Sequence, residues 1–226
     1  MAKKKESTLI NMLVALLVIA AVSGGVLGLV YGVTKDTIAK VEADKNAKAI
    51  AEVLPLDGKI TYNPDTLIQI TGTDTLSFPC TLVYDSLSGK FLGAAVKTSE
   101  GGFGGKIELM VGITADDTIT GTSVLAHSET PGLGANMTGK FKDQFNKRKP
   151  GDGFILDVTK NHEKEPEKVD AITAATITSR AYTKAVEKAY QVFEANKDRF
   201  NKATSTQKNT PEVKANEIEE GGQSNE

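Results

Sequence analysis

The chain has 226 residues with a formal net charge of −2, and 39% of them are hydrophobic. This length suffices for one medium-sized domain with accessory segments rather than two full cores, and a near-neutral charge gives no basic surface for nucleic acid. The single cysteine, Cys80, cannot form a disulfide within the chain or ligate an iron–sulfur cluster alone, and we expect it to be buried as a small apolar residue.

The first predicted element is a membrane-spanning helix over Leu9–Val33, which contains no charged residue. At about 1.5 Å per residue this run exceeds a hydrocarbon core of about 30 Å. A cleaved secretory signal is the alternative, but the apolar run is longer than a usual signal core, which favours an uncleaved anchor. Three lysines at positions 3–5 predict that residues 1–8 are cytoplasmic and that the main domain lies on the outer, periplasmic side of the inner membrane.

Residues 34–55 follow as a predicted charged stalk helix that ends at Pro55. Within the span, glycines 24, 28 and 32 form a ridge that favours packing against another membrane helix. At the other end of the chain, residues 202–226 contain almost no large apolar residue, so we expect them to be disordered.

Residues 56–201 are predicted to form one α+β domain, in which an antiparallel meander of strands is followed by helices. The expected strands are Leu67–Ile70, Thr81–Tyr84, Phe91–Thr98, Lys106–Ile113, Thr118–Ala126 and Phe154–Val158. We expect helices over Asn136–Arg148 and from the 170–179 region to about Asn201, with a charged loop over Asn161–Lys168. The glycine-rich run 101–105 lies between two strands, which predicts a hairpin bulge rather than a dinucleotide-binding loop.

The last long helix begins in a run of hydroxyl residues. Residues 170–179 read Asp-Ala-Ile-Thr-Ala-Ala-Thr-Ile-Thr-Ser and lead into an amphipathic helical pattern. The first turn of a helix has unpaired N–H groups and the positive end of the dipole, so such a segment is suited to bind phosphate. Serine and threonine are also ordinary N-cap residues, so simple capping is the alternative interpretation.

A second distinctive segment, residues 127–134, reads His-Ser-Glu-Thr-Pro-Gly-Leu-Gly. Proline and glycine predict a sharp turn here, before a helix on which Met137, Phe141 and Phe145 recur every fourth residue. A Pro-Gly turn between a strand and a helix requires no function by itself. His127 and His162 lack the spacing of metal ligands, so no zinc site is expected.

Together the two segments resemble those of FMN-binding subunits in the Rnf-type ferredoxin:NAD oxidoreductase and the sodium-pumping NADH:quinone oxidoreductase. The first is similar to the flavinylation motif Asp-x-x-(Ser/Thr)-Gly-Ala-Thr-x-(Ser/Thr), and the second to a Glu-Thr-Pro-Gly-Leu-Gly loop. The matching motif positions are Asp170, Thr173, Ala175, Thr176 and Thr178. The departure is Ala174, where the family usually has glycine; a backbone that requires positive φ there would strain alanine.

The resemblance implies that a dedicated flavin transferase joins FMN through its phosphate to Thr176, with Thr178 as the rival acceptor. Thr173, Ala175 and Thr178 would then surround the phosphate. The residues that would flank the flavin ring are Glu129, Thr130, Gly132, Leu133 and Gly134, and Phe103 is a further neighbour.

No set of side chains in the sequence carries redox chemistry, so a bound cofactor has to supply it. The resemblance therefore implies an electron-relay protein, not a catalyst on its own. Its partners would be the lipid bilayer and other membrane, flavin and iron–sulfur subunits of a complex that couples electron exchange between ferredoxin and NAD to ion transport. Within this resemblance, the short chain and the form of both segments favour the G subunit of the Rnf-type complex. The C subunit of the quinone reductase, or a membrane-tethered binding or assembly module without redox function, is the alternative.

Overall fold

The computed structural model describes residues 9–55, 60–71, 74–161 and 163–203. The chain divides into two compact units, Met1–Lys45 and Asn46–Glu226. The predictions for the N-terminal tail (residues 1–8), for His162 and for a disordered tail beyond residue 203 lie outside the described residues.

Helix α1 runs without a break over Leu9–Val53, so the predicted span and stalk form one helix. Among the described residues it is the one helix that is long and apolar enough to cross a membrane. It ends shortly before Pro55, as expected, because a proline disfavours helical backbone in the residue before it.

The second unit contains a five-stranded sheet in which every neighbouring pair is antiparallel and the strand order follows the chain. The strands are β1 (Ile60–Thr71), β2 (Asp74–Asp85), β3 (Phe91–Gly101), β4 (Lys106–Thr114) and β5 (Ile119–Ala126). The predicted meander is therefore confirmed, although β1 and β2 are longer than expected. The glycine-rich run joins β3 to β4 as a hairpin, closed by a bond from the Gly102 N–H to the Gly105 carbonyl (2.8 Å).

Both faces of the sheet are covered, and side-chain alternation along the strands divides them between two partners. On one face Leu82, Val96 and Leu109 belong to the main core, which is shared with a long helix, α3 (Thr176–Ala195). On the opposite face their neighbours, such as Val83 and Met110, pack in a second cluster with the last residues of α1. The sheet thus forms the centre of this unit.

The segment after β5 does not form the single helix predicted over Asn136–Arg148, so that prediction is wrong. It forms a 3₁₀ helix over Gly134–Thr138, a single turn α2 (Lys140–Asp143) and further turns. Gly139 lies between the two pieces with a non-helical backbone (φ −94°, ψ −137°), which interrupts the helix. The apolar residues that recur every fourth position still belong to the core, because Met137, Phe141 and Phe145 are all buried.

Aromatic packing attaches this segment to α3. The rings of Phe141 and Phe145 lie 5.2 and 5.3 Å from the ring of Tyr182 on α3. Burial raises the pKa of the Tyr182 phenol, which stays neutral and shares a 2.7 Å hydrogen bond with the Thr122 hydroxyl. These contacts hold α2 and the turn that follows it against α3.

Strands β6 (Ile155–Thr159) and β7 (Lys168–Asp170) form a separate parallel pair. The interpretation of Asn161–Lys168 as loop is correct only up to Lys168, because β7 begins there. The last helix also stops earlier than expected: α3 ends at Ala195 and a short α4 (Lys197–Ala203) follows. At the break, the side-chain amide of Asn196 donates hydrogen bonds to the carbonyls of Ile68 (2.8 Å) and Val192 (2.7 Å).

Candidate functional site

Helix α3 begins without a side-chain cap. Its N-cap residue is Ala175, whose methyl side chain cannot accept a hydrogen bond from the amides of the first turn. The Ser179 N–H donates to the Ala175 carbonyl (3.0 Å), which leaves the amides of residues 176–178 at the open end of the helix. No acidic residue occupies the first turn. The capping interpretation of the hydroxyl run is therefore wrong, and the helix end presents its positive dipole and free N–H groups.

The two threonines at this end have different surroundings. The Thr178 side chain is buried, with 1% of the residue exposed, and its hydroxyl donates a 2.7 Å hydrogen bond to Glu129 Oε2. Thr176 is only partly buried and lines a pocket. Within the described part of the chain, no hydrogen-bond partner is found for the Thr176 hydroxyl. Among the described residues, the Thr178 hydroxyl thus has a partner and the Thr176 hydroxyl has none.

The residue before the N-cap has a strained backbone. Ala174 has φ +59°, in the left-handed region that favours glycine. Ser179 holds this turn in place, because its hydroxyl accepts from the Ile172 N–H (2.9 Å) and donates to the Ala175 carbonyl (3.0 Å). The sequence prediction missed Ser179, although its position seven residues after Ile172 in a hydroxyl-rich run was a signal.

Glu129 is a buried carboxylate, with 5% of the residue exposed. Its Oε1 accepts from the Gly104 N–H (2.9 Å) while Oε2 accepts from the Thr178 hydroxyl. Both oxygens are therefore bonded by the chain itself. Gly104 was not among the predicted site residues, because nothing in a glycine-rich hairpin indicates which amide points to a distant carboxylate.

The pocket beside Thr176 has a volume of about 380 Å³, within the range of roughly 300–1,000 Å³ typical of small-molecule sites. Three of its residues are exposed large apolar side chains, Phe103, Leu133 and Ile177. An exposed apolar group of this kind favours a flat, partly apolar ligand. The complete lining is Phe103, Glu129, Thr130, Leu133, Gly134, Ala174, Ala175, Thr176, Ile177 and Thr178.

Eight of the ten predicted site residues line this pocket. The other two, Gly132 and Thr173, line a neighbouring groove of about 870 Å³, which shares Leu133 and Ala174 with the pocket. Ile177 was missed, although its place between two motif threonines puts it on the same helical turn. The glycine at position 132 has φ +77°, which explains the need for glycine in that turn.

Asp170 reaches the groove through a backbone anchor. The Gln144 side chain accepts from the Asp170 N–H (2.8 Å) and donates to the Asp170 carbonyl (3.1 Å). The Gln144 amide thereby pairs with the backbone of Asp170 as a neighbouring strand would, and it fixes the first residue of the 170–179 segment. The role of Gln144 was not predicted either, since its partner is a backbone group and leaves no trace in side-chain patterns.

Comparisons with known proteins find an FMN-binding domain and related subunits of membrane complexes. Residues 102–191 match the family model described as an FMN-binding domain. The G subunit of the Na⁺-translocating ferredoxin:NAD⁺ oxidoreductase complex of Acetobacterium woodii is 32% identical over 79% of this chain and 88% of its own length. The G subunit of an ion-translocating oxidoreductase complex of Methanosarcina acetivorans is 35% identical over 84% of this chain and 95% of its own length.

The corresponding protein of Aliivibrio fischeri is 30% identical, over 86% of this chain and 92% of its own length. A solved structure, the C subunit of the Na⁺-translocating NADH-quinone reductase of Parabacteroides distasonis, has a TM-score of 0.49 and 16% identity, and covers 74% of this chain and 96% of the other. The identities to three G subunits over most of both chains show that this protein belongs to the G-subunit family of ion-translocating oxidoreductase complexes, with an FMN-binding domain at residues 102–191.

Proposed function

We propose that this chain carries one FMN, attached through its phosphate to the Thr176 hydroxyl, and relays electrons within a membrane complex. The observation that carries the attachment site is the contrast between two neighbouring threonines. The Thr176 hydroxyl faces the pocket without a partner among the described residues, whereas the Thr178 hydroxyl is buried and bonded to Glu129. Of the two acceptors suggested by the motif, only Thr176 is accessible to a reagent in solution.

The start of α3 fits the phosphate part of FMN. A phosphate ester on Thr176 would lie at the first residue of the helix, where the amides of residues 176–178 are not used by the helix itself. The helix dipole adds favourable charge, and no acidic side chain of the first turn opposes it. The chain therefore offers hydrogen bonds and positive potential at the one place where the ester requires them.

The pocket walls fit the ring part. Phe103, Leu133 and Ile177 provide apolar surface beside Thr176. When bound, FMN supplies one- and two-electron transfer, which no side-chain set of this chain provides. The protein contributes a fixed attachment point, an apolar wall that excludes water from part of the ring, and an opening that lets neighbours approach.

The partners follow from the family. The relatives are named as subunits of multisubunit complexes, among them a ferredoxin:NAD⁺ oxidoreductase. We therefore assign this chain to a complex with other membrane, flavin and iron–sulfur subunits that couples electron exchange between ferredoxin and NAD to ion transport. Its maturation requires a flavin transferase.

Residues 9–33 would anchor the chain in the cytoplasmic membrane, with the N-terminus in the cytoplasm and residues 56–201 on the outer side.

Covalent attachment is tested by expressing the full chain with and without a flavin transferase and recording ultraviolet fluorescence of the band on a denaturing gel. We expect a fluorescent band only with the transferase. Thr176→Val should remove it, because valine keeps the shape but lacks the acceptor oxygen. Thr75→Val, a matched change at an exposed threonine of β2 that lines neither the pocket nor the neighbouring groove, should retain it.

Mass spectrometry of the peptide that contains residues 170–180 then identifies the modified residue. A band that survives Thr176→Val would show that another hydroxyl is the acceptor. A wild-type chain that never becomes fluorescent with an active transferase would favour the binding or assembly module instead.

The orientation in the membrane is tested with single cysteines introduced at positions 5 and 90 and a membrane-impermeant thiol reagent. Only the cysteine at position 90 should react from the outer side.

A further inference from the structure

The carboxylate of Glu129 joins three segments that are far apart in the sequence. Glu129 itself lies in the loop after β5. Its two oxygens accept bonds from the Gly104 N–H in the β3–β4 hairpin and from the Thr178 hydroxyl in the first turn of α3. These partners are 25 and 49 residues away along the chain. All three segments contribute to the wall of the pocket beside Thr176.

Glycines allow the backbone to approach this carboxylate closely. A Cβ on Gly102 would collide with Glu129 Oε1, and a Cβ on Gly134 would collide with Glu129 Oε2 and lie 2.7 Å from the Thr178 hydroxyl. A Cβ on Gly104 would collide with the Ser128 carbonyl. The carboxylate is thus enclosed by backbone on several sides, and each segment is held at a distance that a larger residue would not permit.

We propose that Glu129 is a positioning residue, whose buried carboxylate ties the 101–105 hairpin to the start of α3 and so holds Phe103 over the cofactor pocket. Phe103 lies between Gly102 and Gly104 and is 72% exposed, so little packing of its own fixes it. Its place depends on the two glycines that rest on residues 128–129. This inference rests on the proposed function for its purpose, but each contact joins groups of the chain itself.

A carboxylate fits this position better than an amide does. The Gly104 amide can only donate, and the Thr178 hydroxyl donates to Oε2. A carboxylate accepts from both as a charged group, whereas glutamine offers one neutral acceptor and an NH₂ group, which bonds the Thr178 hydroxyl only if that hydroxyl turns to accept. Glu129→Gln therefore keeps the volume and weakens both sides of the link.

The first test measures hydrogen–deuterium exchange of the flavin-free full chain in detergent micelles. In Glu129→Gln we expect exchange in residues 101–105 to become at least about tenfold faster, since both bonds lose their charged acceptor, while the strands of the sheet keep their rates. Glu108→Gln is the matched control, because Glu108 lies on the adjoining strand and bonds Lys106 outside the pocket (2.9 Å). It should leave residues 101–105 unchanged.

Thr178 provides an independent pair of variants should Glu129→Gln fail to fold. Thr178→Val removes the hydroxyl and should loosen the link, whereas Thr178→Ser retains a donor and should behave as wild type. Unchanged exchange in Glu129→Gln, an equal effect of Glu108→Gln, an increase spread evenly over the sheet, or equal behaviour of the two Thr178 variants would each overturn the proposal.

A second readout uses the flavin-loaded chain. We expect the visible circular dichroism of the attached flavin to change in Glu129→Gln and Thr178→Val and to be restored in Thr178→Ser, because the surroundings of the ring move with the hairpin. Identical spectra in all variants would contradict the positioning role. If the wild-type chain accepts no flavin, the proposed function fails, and the exchange measurement on the flavin-free chain still decides whether Glu129 positions the hairpin.

Discussion

Ala174 gives a direct test of backbone strain at the proposed phosphate site. Its φ of +59° places a non-glycine residue in the left-handed region, which costs an L-residue about 1–2 kcal/mol. Ala174 is exposed, so removal of its methyl group sacrifices no buried packing. Ala174→Gly should therefore remove the strain.

The gain is reduced because glycine gives the unfolded chain more freedom, worth about 0.4–1 kcal/mol. We expect a net stabilisation of about 0.5–1 kcal/mol, which for a domain of this size corresponds to a rise in Tm of about 1–4 °C. The measurement is urea and thermal unfolding of the full chain in detergent, followed by circular dichroism.

Ala171→Gly is the matched control for this experiment. Ala171 lies in the same segment but is not among the described residues with positive φ, so glycine there has no strain to relieve. It should destabilise the domain by about 0.4–1 kcal/mol through the unfolded state alone. Equal destabilisation by both substitutions would refute the reasoning, because it would mean that position 174 does not require left-handed backbone.

Three further predictions concern the rest of the domain. Gly112→Ala should lower the free energy of unfolding by about 1–3 kcal/mol in urea titrations, because its Cβ would collide with the Val53 carbonyl; an unchanged midpoint would show that this contact is loose. Burial alone would raise the pKa of Glu52, but Lys142 lowers it below its ordinary value of 4.5, so this carboxylate stabilises the fold above about pH 4.5 and loses its effect as pH falls. The difference in stability between wild type and Glu52→Gln should therefore be larger at pH 7 than at about pH 3. Burial raises the pKa of the Cys80 thiol to about 12, so iodoacetamide at about pH 8 should modify it only after urea unfolds the chain.

Much of the fold could be predicted from local pattern. Turn residues separate runs of alternating apolar character, and this pattern predicted a meander that the structure confirms. The prediction of a helix over Asn136–Arg148 was wrong because the backbone at Gly139 is not helical. The apolar side chains that recur every fourth residue can be buried by short turns as well as by one helix. Strand β7 has only three residues in a charged segment, and its pairing with β6 depends on contacts that no local pattern encodes.

The sequence could predict which residues lie at the site, but not which role each of them has there. The motif identified the threonines, and helix geometry places Thr176 and Thr178 about 200° apart around the axis, so their hydroxyls were expected to have different surroundings. Which of the two threonines is buried depends on where Glu129 lies, and the position of Glu129 is set by tertiary structure. For the same reason the sequence could predict Glu129 beside the flavin, but not that its two oxygens accept bonds from Gly104 and Thr178.

The burial of Thr178 has a consequence for the attachment proposed at Thr176. In an unfolded chain the two threonines are chemically equivalent, and a modifying enzyme would have to distinguish them by sequence alone. Once the domain has folded, one hydroxyl is shielded from solvent and the other is open. Regioselectivity is then a property of the substrate's tertiary structure, so an enzyme that acts after folding needs no means of its own to reject the second threonine.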